Sequence, residues 1–179
     1  MVPVENVVHK VVLTGSECTG KTTLAADLAR HYGAVWLPEY VRGYAESKGA
    51  PLDAGDVEPI ARGQIAAQDA ALERARHLLL LDTDLLSTVV YAEHYYGSCP
   101  EWITALAVAR RADLYLLCDI DVPWTADSQR DRPDSREAMQ ALFHRALISR
   151  GFRFVEIRGG RLERFRAARV TIDALVADV

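Results

Sequence analysis

The sequence predicts an α/β fold, a parallel β-sheet of five strands with helices on both faces. Two observations carry that prediction. Five short apolar runs alternate along 179 residues with segments of helical period, the pattern of strand-helix-strand units whose crossovers are right-handed. Directly after the first run, Gly15, Gly20, Lys21 and Thr22 match the phosphate-binding spacing G-x-x-x-x-G-K-[ST], followed by an amphipathic segment.

Taken in order, residues 9–14 read as a first strand, apolar enough to be covered on both faces. Residues 21–32 form a first helix with Leu24, Ala25 and Leu28 on one side, stopped by Gly33. Residues 34–37 are a second strand, and 38–42 start a short helix that runs through Tyr44. Gly49, Pro51 and Gly55 make 47–55 a loop. Asp56 is expected to cap a long helix reaching about Arg76, with Pro59 harmless in its first turn. Residues 78–81 are a third strand that delivers Asp82, Thr83 and Asp84 at its carboxyl end.

Two helices follow, 87–96 and 101–111, separated by 97–100. Residues 114–118 are a fourth strand leading into Asp119 and Asp121. The polar stretch 125–135, with Arg130, Arg132 and Arg136 in and beside it, precedes a helix for which Asp134 and Glu137 have capping-box spacing. Residues 152–157 are a fifth strand, Gly159 and Gly160 a turn, and Leu162, Phe165, Ile172 and Leu175 the inner face of a last helix. No internal repeat or linker divides the chain, so 1–179 is expected to be a single domain.

Composition narrows the function classes. A net charge of −4 gives no global attraction to nucleic acid or to an anionic membrane. Cys18, Cys99 and Cys118 show no C-x-x-C spacing, which argues against a disulfide framework or a zinc site and fits a reducing cytoplasm. No charged-then-apolar leader opens the sequence, and the aliphatic run 78–81 is far too short to span a bilayer. A small-molecule substrate is the expected partner; oligomeric state is not encoded in any pattern we find.

The phosphate loop states its own chemistry. Gly15, Ser16, Glu17, Cys18, Thr19, Gly20, Lys21, Thr22 and Thr23 would wrap backbone N–H groups around a polyphosphate. The following helix adds about half a positive charge at its N-terminus. Lys21 would reach the outer phosphates of ATP, and the Thr22 hydroxyl would ligate magnesium. In open parallel sheets the ligand lies beyond the carboxyl ends of the strands. That rule selects Glu39, Asp82, Asp84, Asp119 and Asp121 as candidates. Magnesium must be held and a nucleophile deprotonated, so acids converging on the loop carry more meaning than helix caps alone.

Several stretches together resemble one family. They are 15–23, Pro-Glu-Tyr-Val-Arg at 38–42, Gly63-Gln64, Asp82-Thr-Asp84 with Ser87-Thr88, Tyr115 to Asp119, Asp121-Val-Pro-Trp124, and Gln129-Arg130-Asp131. This set is similar to the nicotinamide riboside kinase domain of NadR-type proteins, across residues 9–176. The phosphate loop is shared by many NTPases; 38–42 and 121–124 are the discriminating parts. Cys18 stands where that family usually has serine. The helix-turn-helix and adenylyltransferase modules of multidomain NadR proteins find no counterpart in this sequence, so transcriptional regulation is not carried over.

The resemblance implies a P-loop kinase fold with an arginine-containing lid at about 124–136. It also implies transfer of the γ-phosphoryl of ATP to the 5′-hydroxyl of nicotinamide riboside. On that reading Lys21, Glu39, Asp82 and Arg130 are catalytic, and Thr22 and Asp82 hold magnesium. Arg132 and Arg136 join the loop in binding ATP, and Glu39, Tyr40, Arg42, Asp84 and Trp124 contact the acceptor. The pyridinium is a cation, so an acidic, aromatic pocket suits it, with Trp36, Tyr40, Tyr44 and Trp124 as aromatic candidates. A kinase of another nucleoside or nucleotide, and an NTP-dependent regulator, are the alternative readings. An anionic acceptor would want arginines where this sequence offers acids, and the Asn-Lys-x-Asp guanine motif is not found.

Overall fold

The computed structural model describes residues 7–123 and 135–177. Trp124, Arg130 and Arg132, and with them most of the expected lid, lie outside the described residues. The strands are β1 (His9–Thr14), β2 (Val35–Leu37), β3 (Leu78–Asp82), β4 (Leu114–Cys118) and β5 (Phe154–Ile157). All pairings are parallel, in the order β2-β3-β1-β4-β5. The helices are α1 (Lys21–Tyr32), α2 (Tyr40–Lys48), α3 (Val57–Arg74), α4 (Leu85–Tyr96), α5 (Glu101–Ala109), α6 (Arg136–Ser149) and α7 (Arg161–Ala177), with a 3₁₀ turn at Ala54–Asp56.

The central strands read as unbroken apolar runs because both of their faces are covered. Val11, Leu13, Leu80, Leu116 and Ile157 pack with Leu24, Leu28, Ile172 and Leu175 under α1 and α7. The alternate residues Val12, Leu79, Leu81, Tyr115 and Leu117 pack with Leu86, Val90, Phe143 and Leu147 of α4 and α6 on the other face. A third cluster, including Val57, Ala61, Val89 and Ile103, ties α3 and α5 to α4. No helix among the described residues is long and apolar enough to cross a membrane.

Four departures from the sequence reading have a local cause in the structure. Helix α2 runs a turn past Tyr44, to Gly49, whose left-handed φ of 63° closes it. Asp56 does not cap α3: its carboxylate accepts from the Asp53 amide at 2.8 Å, while Asp53 caps the 3₁₀ turn. Helix α4 starts two residues early because Asp84 caps it, accepting from the Leu86 amide at 3.0 Å. On α7, Leu162 is 58% exposed and Arg164 is only 4% exposed. The Arg164 guanidinium is saturated by the carbonyls of Thr19, Gly159 and Asp119 and by the Asp121 carboxylate. The pairing of Asp134 with Glu137 lies outside the described residues.

Strand β3 lies directly beside β1, with Leu13 opposite Asp82. This register puts the phosphate loop and the first acid of the third strand side by side at the carboxyl edge of the sheet.

Candidate functional site

The loop between β1 and α1 is held from behind. Gly15 sits at φ 120°, and a Cβ there would meet the Cys118 carbonyl at 2.7 Å, so the sequence needs glycine. The Gln140 amide of α6 clamps the turn: its oxygen accepts from the Ser16 N–H at 2.9 Å and its nitrogen donates to the Cys118 carbonyl at 3.1 Å. Lys21 is buried, its ammonium donating to the Ser16 carbonyl at 2.6 Å and the Gly15 carbonyl at 3.1 Å. Arg136 donates from Nη2 to the carbonyls of Cys18, Ile120 and Val122, which sets its positive charge beside the loop.

Next to the loop, the Thr22 hydroxyl donates to Asp82 Oδ2 at 2.6 Å. Asp82 is 2% exposed, and its Oδ1 is enclosed with no protein partner among the described residues. Burial pushes the Asp82 carboxyl above its ordinary range, opposed by the Thr22 hydrogen bond and reinforced by the nearby Glu39 charge. An enclosed carboxylate oxygen beside a hydroxyl is a costly arrangement that a hard cation relieves, so these residues fit magnesium. Magnesium characteristically keeps several waters and uses one or two protein oxygens plus phosphates, and no cage of three or more acidic or imidazole ligands exists among the described residues.

From the loop a cavity of about 1140 Å³ extends across the ends of β2 and β3. Residues 17–23 line one end. Glu39, Val41, Arg42 and Glu46 of the α2 region, 49–53, and Val57, Ile60 and Gln64 of α3 line the rest, facing Thr83, Ser87, Thr88, Tyr91, Tyr95 and Tyr96. Arg42 lies 3.6 Å from Glu39, on the next turn. Thr83 holds φ 69°, a left-handed conformation unusual for a β-branched residue, and its N–H donates to the Leu13 carbonyl at 3.0 Å. Strain at this hinge turns the chain from β3 into the wall formed by α4.

Several candidates are brought together here and several are not. The loop residues Glu17 to Thr23, with Glu39 and Arg42, line one cavity, and Asp82 stands behind it on Thr22. Asp84 is not an acceptor contact. It is 5% exposed, caps α4 through Oδ1, and accepts from the Tyr115 hydroxyl through Oδ2 at 2.7 Å. Burial raises its carboxyl to about 6. Tyr40 also leaves the site: its ring lies on the α3 backbone where Gly63 has no side chain, and any Cβ there would collide with it. Tyr44 donates to Asp56 at 2.9 Å, within a cluster completed by Lys48, and Trp36 packs against the core below α1. Asp121 is consumed by Arg164 and the Gly159 amide, and Asp119 by Arg158.

Sequence reasoning missed the aromatic wall. Tyr91 and Tyr95 stack one turn apart, centroids 6.0 Å and planes 4° apart, and Tyr96 follows at the cavity edge. The signal was present: Thr88, Tyr91 and Tyr95 fall at i, i+3 and i+7 on one face of α4. Gln140 and Arg164, which brace the phosphate loop, carried no local signal.

Comparison with known proteins agrees with this geometry. The trifunctional NAD biosynthesis/regulator protein NadR of Salmonella typhimurium is 31% identical over 157 residues, covering 84% of this chain and 38% of that protein. A crystal structure of NadR protein in complex with NR superposes with a TM-score of 0.73 at 27% identity, over 94% of this chain and 50% of that one. A second, of NadR in complex with NAD and AMP-PNP, gives 0.75 at 26% identity, over 95% and 50%. The chain therefore spans about half of the crystallised NadR chains and less of the Salmonella protein. A family model described as AAA domain matches residues 10–164. With a phosphate loop built as above and a match over most of its length, the chain belongs to the AAA domain family.

Proposed function

We propose that the protein is an ATP-dependent nucleoside kinase that phosphorylates the 5′-hydroxyl of nicotinamide riboside, giving nicotinamide mononucleotide and ADP in NAD salvage. The observation that supports this most is the continuity of one cavity. Its donor end is the phosphate loop, and its acceptor end has a carboxylate, an arginine and a tyrosine wall. The likeness to NadR, solved with NR and with AMP-PNP, supports the same pair of ligands.

The chemistry asks mainly for positioning and charge compensation. Backbone N–H groups of 15–22 and the Lys21 ammonium hold the phosphates of ATP. Thr22 and Asp82 would hold magnesium, which when bound would supply positive charge against the phosphates of ATP. Glu39, 21% exposed and facing the acceptor end, takes the proton from the 5′-hydroxyl. The hydroxyl oxygen forms the new bond to the γ-phosphorus as the bond to the β-phosphate oxygen breaks. Arg42 steadies Glu39. Arg136, held beside the loop by the carbonyls of Cys18, Ile120 and Val122, adds positive charge at the donor end, while Arg130, Arg132 and Trp124 lie outside the described residues. The aromatic contact to the pyridinium comes from Tyr91 and Tyr95 rather than from Tyr40 or Tyr44. The chain works in the cytoplasm, as one kinase domain.

Specificity constants over a nucleoside panel test this reading. Oxidised nicotinamide riboside should exceed its neutral reduced form by about five- to thirtyfold, the scale of a cation against aromatic faces and carboxylates. Thymidine or uridine as the best acceptor would mark a pyrimidine nucleoside kinase, and ATP hydrolysis that no nucleoside stimulates would mark a regulatory ATPase.

A further inference from the structure

We propose that the side-chain amide of Gln64, held by Thr88, selects the carboxamide of the acceptor's base; this rests on the pyridine riboside reading above. Gln64 projects from the middle of α3 into the cavity and is only 4% exposed. Its Oε1 accepts from the Thr88 hydroxyl at 3.0 Å, and this is its only hydrogen bond among the described residues. Its Nε2 is not among the enclosed atoms that lack a partner, whereas that of Gln68, one turn on, is. Gln68 does not line the cavity. The amide N–H groups of Gln64 therefore open to the cavity.

Thr88 lines the same wall and holds the amide in place. Around these groups the wall is apolar, formed by Val57, Ile60 and Ala92. Polar groups placed deep in such a wall cost stability unless a ligand pairs with them, which is how a site gains selectivity.

The donor and acceptor pattern identifies the partner. The Thr88 hydroxyl donates to the Gln64 oxygen, which keeps a second lone pair. The amide edge thus offers an N–H donor next to an acceptor in one plane. A primary carboxamide matches this: its oxygen accepts from Nε2 while one of its N–H groups donates to Oε1. A carboxylate meets the donor but sets its second oxygen against Oε1. A methyl ketone lacks the N–H, and an unsubstituted ring satisfies nothing.

The test compares nicotinamide riboside, 3-acetylpyridine riboside and pyridine riboside as acceptors. In the unaltered protein kcat/KM should favour the amide over the unsubstituted ring by about 30-fold or more, with the ketone between. Gln64→Leu should bring that ratio to within about threefold of unity, with the KM for ATP held. Thr88→Val, nearly isosteric, frees the amide to turn and should lower the ratio severalfold. A ratio that stays high in Gln64→Leu, or a loss shared equally by all three ribosides, would overturn the assignment. If Gln64→Leu fails to fold, an unchanged ratio in Thr88→Val overturns it instead. Failure of the underlying reading looks different: the unaltered protein would phosphorylate none of the three ribosides.

Discussion

The hydroxyl of Thr22 donates a 2.6 Å hydrogen bond to one oxygen of Asp82, while the other oxygen of that carboxylate is enclosed with no protein partner among the described residues. This relationship joins the end of the phosphate loop to the end of β3. It separates the acids of the site in space: Asp82 lies behind the loop, and Glu39 lines the cavity beyond it.

Asp82→Asn is expected to weaken the dependence of turnover on magnesium concentration, because the amide keeps the shape but gives up the charge that favours a hard cation. Glu39→Gln should lower turnover about 10²- to 10⁴-fold, the contribution of a general base, without moving the magnesium midpoint. Magnesium titrations of both variants check this, and the opposite pattern would exchange the two roles.

Lys21→Ala should lower kcat by about 10³-fold or more if, as proposed, its ammonium compensates charge on the transferring phosphoryl. Lys21 also donates to the Ser16 and Gly15 carbonyls, so a thermal scan accompanies the kinetics. A folded variant with retained turnover would remove the loop from the mechanism.

Asp84→Ala should cost roughly 2 to 4 kcal/mol of stability, combining a lost helix cap with a buried Tyr115 hydroxyl left without an acceptor. At about 2–4 °C per kcal/mol for a chain of this size, the melting temperature should fall by about 5 to 15 °C. Asp84→Asn, which can still accept from Leu86, should lose far less. Equal melting points for the two variants would contradict the capping role.

Gly63→Ala should destabilise the junction of α2 and α3 by about 1 to 3 kcal/mol, the usual scale of overpacking, because the Tyr40 ring occupies the place of the new methyl. Adding Tyr40→Ala to Gly63→Ala should then cost less than Tyr40→Ala costs alone. Additive losses in the double variant would place Tyr40 elsewhere.

The parallel sheet and the phosphate loop were legible in the sequence because their signals are local: apolar runs between helical periods, and a contiguous motif from Gly15 to Thr22. Asp84 and Tyr40 were misassigned because each is claimed by a distant partner. Tyr115 lies 31 residues from Asp84, and the bare backbone at Gly63 accommodates the Tyr40 ring. Gln140 braces Ser16 from 124 residues away, a relation that no spacing rule encodes. The tyrosines of α4 were missed for a different reason: periodic aromatics on a helix read as core until the cavity beside them is seen.

The measurement that bears most directly on the proposed reaction is product identification. The purified protein is incubated with ATP, magnesium and nicotinamide riboside, and the nucleotide products are resolved by mass spectrometry. One nicotinamide mononucleotide should form for each ADP released, with the added phosphoryl on the 5′ position. ADP released without phosphorylated riboside, or phosphorylation of a different nucleoside in preference to it, would contradict the account.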